Sequence, residues 1–295
     1  MRMFRMVALV AATLFGGLGA AGAAGAAPAL WVVKSAHAQV YLFGTLHALS
    51  PNAKWRTPAY DAAFASAKTL WFETDVESAD PLTVQNIVAH YGVDPERTLS
   101  QKLPAADVAE LAHEADLARI EHLRPWAAAL MLSMQPMVAQ GARVASGADA
   151  TMTRNARSGA KQVRFFETLE DQAHVFADLP EQAEVRYLTD ILDARARPPA
   201  RPGTATSPDK SLEQAWLDGD LAKLGPALTG EMRQQNPALY NALLKRRNLA
   251  WADALTKALA GSDVELVNVG ALHMVGDDGL PALLKARGFE VQRLQ

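Results

Sequence analysis

The chain has 295 residues, a formal charge of −3, 49% hydrophobic and 21% charged residues, and no cysteine. That balance allows a sizeable packed core and excludes a disordered chain or a strongly basic nucleic-acid binder. The missing cysteines exclude thiol catalysis, thiolate metal ligands and disulfides together, so any metal site must use His, Asp, Glu, amides or water.

The chain opens with Arg2 and Arg5, a short apolar run from Val7 to Leu18, and a small-residue stretch in which Ala24-Gly25-Ala26 fits a cleavage site. This pattern predicts a signal peptide over residues 1–26 and a mature protein that starts at Ala27. The apolar run is short for a membrane span, and the absence of cysteine rules out a lipoprotein anchor. The expectation is therefore a secreted or periplasmic protein with no stable membrane anchor after cleavage; an uncleaved anchor is the alternative.

Leu30 to Lys34 and Gln39 to Leu46 read as two strands, a candidate hairpin. Pro58 to Ala67 reads as a short helix, followed by a strand at Thr69 to Phe72 that runs into Glu73-Thr74-Asp75. Pro81 to His90 is helical, and Ala105 to Ser158 shows apolar residues at three and four spacing throughout. Within that stretch Pro125 to Ala145 predicts a buried helix, kinked or broken at Pro136. Gln162 to Phe166 is a further strand ending in Glu167-Thr168, with helices at Leu169 to Ala177 and Pro180 to Ala196. Arg197 to Pro208, with its prolines and small polar residues, is an exposed linker. Helical pattern resumes from Ser211 to Ala260; Val264 to Val269 is a strand, Gly279 to Arg287 a helix and Phe289 to Leu294 a last strand.

Strands thus cluster at both ends of the chain and once in the middle. The reading is a single domain over residues 27–295, α/β (α+β), with a mixed central sheet built from both ends, flanking helices and a helical insertion. Strand order and direction stay open.

Two segments, YLFGTLH ending at His47 and LVNVGALH ending at His273, share a Gly-x-x-His signature after an apolar run. Each histidine falls just past a strand's carboxyl end, where open α/β sheets bind ligands. Glu73 and Glu167 end two other strands. Side chains at strand ends are held by the sheet and converge at little entropic cost, so these four residues are the candidate site. The bland alternatives are structural histidines, and helix capping by Thr74, Asp75 or Thr168 next to the glutamates. Arg247 and Asn248, in KRRNLAWA, are a further candidate: a buried Arg binds a carboxylate or a developing oxyanion, whereas an exposed one only decorates a helix. His37, His90, His113, His122 and His174 have no partner at ligand spacing.

YLFGTLH, WFETD, GADATMTRNARSGAKQVRFFETLEDQ, RRNLAWA and VNVGALHMVGDDGLPALLKARGFEVQRL, in that order, resemble the TraB/GumN family, which includes the TIKI-type proteases. That family is in turn similar to the erythromycin esterases and the ChaN-like haem-binding proteins. The resemblance implies that His47 and His273 are the paired histidines, Glu73 their acidic partner, Glu167 the Glu of a Glu-Thr step before a helix, and Arg247-Asn248 the Arg-Asn pair.

Three functions are expected on these grounds. The first is a periplasmic hydrolase of peptide or small-molecule substrates. In one version His47, Glu73 and His273 hold a divalent cation (Zn, Mn, Fe or Co) that activates water; in another a histidine oriented by Glu73 does so directly. The second is a haem- or ligand-binding protein using the same histidines. The third is an accessory factor in envelope polysaccharide export.

Overall fold

The computed structural model describes residues 27–46, 49–50, 53–75, 78, 80–139, 148–196 and 208–295. The expected leader, the paired histidine His47 and the linker up to residue 207 lie outside the described residues.

Six strands make one mixed sheet: β1 (Leu30–Lys34), β2 (Gln39–Thr45), β3 (Thr69–Phe72), β4 (Gln162–Phe165), β5 (Val264–Gly270) and β6 (Glu290–Arg293), in the order β4-β3-β5-β2-β1-β6. The hairpin expected of β1 and β2 is present, with Leu30 opposite Phe43 and Lys34 opposite Gln39. β4, β3, β5 and β2 run parallel, β1 runs against β2, and β6 runs against β1. The middle of the sheet therefore pairs a strand from each end of the chain, with Gln39 against Val264 and Thr45 against Gly270. Buried on both faces, the central strands read as near-continuous apolar runs, as parallel strands do.

Helices cover both faces. On one side lie α1 (Pro58–Ser66) and the helix Ala148–Ser158, packing Tyr60, Ala63, Met152 and Ala156 against Phe43, Leu70, Phe72 and Leu266. Thr57 starts α1: its hydroxyl accepts from the Tyr60 N–H, and Pro58 fills the first turn, where no N–H is needed. Trp216 closes this core, and its Nε1 donates to the Gly44 carbonyl at 2.7 Å. On the other side, α2 (Arg246–Leu259) and α3 (Leu280–Ala286) bring Trp251, Leu255, Leu280 and Leu284 onto Val40, Leu42, Val267 and Val269. Each such fully buried aliphatic side chain is worth roughly 1.5–3 kcal/mol.

The helical insertion carries its own core, in which Leu99, Leu111, Leu132, Leu188 and Leu192 meet. Its apolar helix is Pro125–Ala139, and it continues through Pro136 instead of breaking there. A proline removes one hydrogen bond and crowds the preceding turn. The carbonyl it leaves free is that of Leu132, which accepts instead from Arg195 Nη1 at 3.1 Å. The sequence pattern also passed over a short helix, Leu99–Lys102, which is too brief to show a period. Among the described residues no helix is long and apolar enough to cross a membrane.

Candidate functional site

The four parallel strands deliver their carboxyl ends to one edge of the sheet. Glu73 is the residue after β3, Glu167 the second after β4, and β5 runs straight into a single 3-10 turn, Ala271–Met274, that holds His273. Pairing continues past the strands proper: the Glu167 N–H donates to the Glu73 carbonyl at 2.9 Å, so the two carboxylates leave adjacent positions. His47 itself is outside the described residues, but Thr45, two residues before it, pairs with Gly270.

Arg247 joins these ends. It comes from the first turn of α2, which follows a wide π-helical turn, Asn241–Lys245, and the Leu243 carbonyl of that turn accepts from its Nη1 at 2.9 Å. The guanidinium donates through Nε to Glu167 Oε1 at 2.7 Å, and through Nη2 to Glu167 Oε2 at 2.8 Å and Glu73 Oε2 at 2.7 Å. Its central carbon, Cζ, lies 4.7 Å from the centre of the Trp251 ring, one helical turn on. Burial opposes the charge on Arg247, but the hydrogen bonds and charges of Glu167 and Glu73 outweigh it and hold its pKa above the ordinary arginine value. Of the two roles open to this arginine in the sequence, the structure has carboxylate binding, and a merely exposed helix face is ruled out by its burial.

The second oxygen of Glu73, Oε1, accepts the Gly270 N–H at 2.7 Å, and Gln172 Nε2 donates to Oε2 at 3.4 Å. Glu73 is thus held by a backbone amide, a guanidinium and a side-chain amide. The bland capping role falls elsewhere: Asp80 caps the helix Pro81–Tyr91, and Asp75 pairs with Arg157. At Glu167 the expected capping box is present, with Thr168 and Asp171 bonding reciprocally at the start of Leu169–Ala177. Capping is done by its neighbour, and the carboxylate of Glu167 is left for Arg247.

His273 is buried against Trp251, ring centres 4.3 Å apart. Asn248 decides its tautomer. The Asn248 amide nitrogen donates to the carbonyls of Asp278 (2.7 Å) and His273 (3.4 Å), which fixes the amide so that Oδ1 faces His273 Nδ1 at 2.6 Å. An amide oxygen only accepts, so Nδ1 carries the proton and Nε2 is the basic nitrogen. Nε2 lies 3.2 Å from Arg247 Nη1 and 3.7 Å from Glu73 Oε1.

Among the described residues Glu73 and His273 are the donors a cation could share, with His47 the third one expected. The Arg247 guanidinium already stands between them, touching both the histidine nitrogen and the carboxylate. A divalent ion about 2.0–2.1 Å from Nε2 would meet that fixed positive charge. As arranged, the described side chains fit a guanidinium and not a divalent ion.

A groove of about 550 Å³ opens beside the site at the ends of β3 and β4, and Glu167 belongs to both. The structure therefore brings together Glu73, Glu167, Arg247, Asn248 and His273. It adds residues that the sequence did not single out: Gln172, Trp251, the Gly270 amide and the Asp278 carbonyl. Trp251 was within reach of sequence reasoning, being four residues after Arg247 on a helix; the two backbone groups leave no sequence signal.

Residues 29–293 match the TraB/PrgY/gumN family. The chain is also 24% identical over 273 residues to the uncharacterized protein YbaP of Escherichia coli (strain K12), covering 88% of this chain and 92% of that protein. The YbaP of Shigella flexneri matches with the same identity and coverage. No solved structure matches.

Proposed function

The chain belongs to the TraB/PrgY/gumN family, and from its site we propose that it is an exported hydrolase in which a histidine activates water directly on a peptide or small-molecule substrate. The observation that carries this is the fixed tautomer of His273: Asn248 holds Nδ1–H, which leaves Nε2 as a base beside Glu73. Export is supported by the leader-like pattern of the first 26 residues.

In the proposed reaction, Nε2 takes a proton from water as the water oxygen bonds to the substrate carbonyl carbon. Arg247 Nη1 rests against the Nε2 lone pair. Water displaces the Nη1–H from that lone pair before the proton moves, and the planar guanidinium, held in place, presents its charge to the oxygen that becomes negative. The other two nitrogens of Arg247 stay anchored on Glu73 and Glu167. Glu73 Oε1 stabilises the imidazolium, because two carboxylates against one guanidinium leave a net negative environment. The tetrahedral intermediate then collapses: the carbonyl re-forms, the bond to the leaving nitrogen or oxygen breaks, and the proton on Nε2 goes to that leaving atom. His47 is assigned the second acid–base place on the family resemblance.

A panel of peptides and esters tests this with the parent, His273→Ala and His47→Ala, each with and without a strong chelator. The expected result is hydrolysis that survives chelation and disappears in both variants while both remain folded at the assay temperature, His273→Ala with a lowered midpoint because it leaves Asn248 Oδ1 unpaired in the interior. Hydrolysis abolished by chelator and restored by Zn or Mn would overturn the metal-free mechanism. No turnover by a folded parent would overturn the hydrolase and favour a ligand-binding protein.

A further inference from the structure

One helix reaches Asp278 at each of its oxygens. Pro237–Tyr240, the wide turn Asn241–Lys245 and α2 follow one another without leaving helical backbone. Along this run the Tyr240 hydroxyl donates to Asp278 Oδ2 at 2.8 Å, Lys245 Nζ stands 3.7 Å from Oδ1, and Asn248 Nδ2 donates to the main-chain carbonyl at 2.7 Å. The contacts are unequal. Lys245 is exposed, and an ion pair of that kind contributes little. Tyr240 is buried, with Cζ of Arg233 5.6 Å from its ring centre, and its bond to a carboxylate is of the stronger, charge-assisted kind.

The wide turn is what lets Tyr240 and Asn248 meet one residue. They are eight positions apart. In an unbroken α-helix, at about 100° per residue, they would point about 80° apart around the axis. A turn closed by an i→i+5 bond takes up one extra residue, so the spacing acts like seven positions, within about 20° of one face. Asp278 is held from its own side as well. It lies in the turn that follows the one holding His273. Gly276 is left-handed there, at φ 73°, and its carbonyl accepts from the Gly279 N–H at 3.1 Å. A Cβ at Gly279 would come within 2.7 Å of the Val275 carbonyl oxygen, so this turn is built closely on its glycines.

We propose that Tyr240 is a positioning residue for His273, acting through Asp278 and Asn248. By tying the Asp278 turn to the helix, its hydroxyl keeps the Asp278 carbonyl in front of the Asn248 amide nitrogen. The amide is then anchored at one end, and its oxygen stays on His273 Nδ1–H at the other. Without that hydroxyl the Asp278 carbonyl is free to move off, the amide loses its anchor, and the imidazole is held more loosely. The positioning stands on this geometry alone; only its effect on turnover rests on the hydrolase reading.

The test is NMR of the full chain, as parent, Tyr240→Phe, Asp278→Ala and the double variant. It compares solvent exchange of the His273 Nδ1 proton with exchange of the Val267 amide, which lies in the middle of β5. A loss of overall stability speeds both protons together, whereas a loss of positioning speeds the histidine proton beyond the amide. In each single variant the Nδ1 proton should gain on the order of tenfold over the Val267 amide, about the factor that one hydrogen bond to a charged group supplies. The double variant should match the single ones, because the two substitutions cut one path. Should Tyr240→Phe fail to fold, Asp278→Ala makes the same comparison from the less buried end of the bond. A Nδ1 proton that gains nothing over the amide would overturn the proposal, whatever the unfolding midpoint, and so would effects that add in the double variant. Exchange needs no turnover, so a loosened His273 in a chain that hydrolyses nothing counts against the hydrolase alone. Hydrolysis with an unmoved Nδ1 proton in a folded Tyr240→Phe counts against the positioning alone.

Discussion

Asn248 Oδ1 and His273 Nδ1 stand 2.6 Å apart, on the side of the imidazole away from the guanidinium of Arg247. A residue from the helix Arg246–Leu259 thus sets the protonation of a residue in the turn after β5. Replacing Asn248 with Ala removes the amide oxygen that accepts from Nδ1 and leaves the ring able to take either tautomer. Nitrogen NMR of His273 should change from one tautomer to a mixture. If hydrolysis runs through Nε2, kcat should fall on the order of 10²–10⁴-fold, the range general-base catalysis contributes. A single unchanged tautomer in the variant would show that Asn248 does not govern it.

Arg247 is the structural keystone as well as a candidate in the chemistry. Arg247→Ala leaves Glu73 buried and Glu167 part-buried without their guanidinium, and removal of one partner from a buried ion pair typically costs about 3–5 kcal/mol. Urea denaturation should show that loss. Arg247→Lys should recover part of it, because one ammonium cannot reproduce three donated bonds to two carboxylates.

Glu73→Gln is expected to destabilise by about 1–3 kcal/mol, the cost of an unsatisfied buried polar group. The reason is geometric: Oε1 accepts from the Gly270 amide and Oε2 from Arg247, so either orientation of a glutamine points its –NH₂ at a donor. The midpoint of thermal or urea unfolding measures this; an unchanged midpoint would mean the carboxylate is not held as described.

Tyr240 gives a pH prediction. Its hydroxyl donates to Asp278 Oδ2 at 2.8 Å, and burial together with that bond pushes the phenol up to about 12. A phenol whose folded pKa lies above its unfolded value of about 10 stabilises the fold fully below that value, and the contribution is lost as pH rises towards 12. Asp278 is the residue whose carbonyl holds Asn248. Tyr240→Phe should therefore narrow the stability gap with the parent at strongly alkaline pH, and it should remove one phenol ionisation near pH 12 from the absorbance titration.

Much of this arrangement was legible in the chain because its strands announce their ends. The apolar runs that stop at Glu73 and Gly270 bound their strands closely, and the Thr-x-x-Asp box after Glu167 marks a helix start. Sheet order was not legible: β2 and β5 are alike in being apolar on both faces, and nothing local says which neighbours they take. The arginine between two glutamates was out of reach for a different reason. Arg247 is 80 residues from Glu167 and 174 from Glu73, and a charged residue near the start of a helix looks the same whether it faces water or a buried carboxylate. The break that was one of two outcomes expected at Pro136 did not occur, because a proline weakens a helix without deciding where it ends.

The central pairing of β2 with β5 also governs how this molecule can come into being. The strand at residues 39–45 waits for its parallel partner at 264–270, so the middle of the sheet cannot close until nearly the whole chain has been made. Closing so long a loop is entropically expensive and slow, and until then β2 offers an apolar edge to any passing strand. The helical insertion, with its own leucine core of mostly nearby segments, can organise sooner. Refolding experiments should accordingly find helical signal first and sheet last. A late-folding sheet of this kind leaves its central strands open to contact with other chains for most of the time the molecule takes to fold.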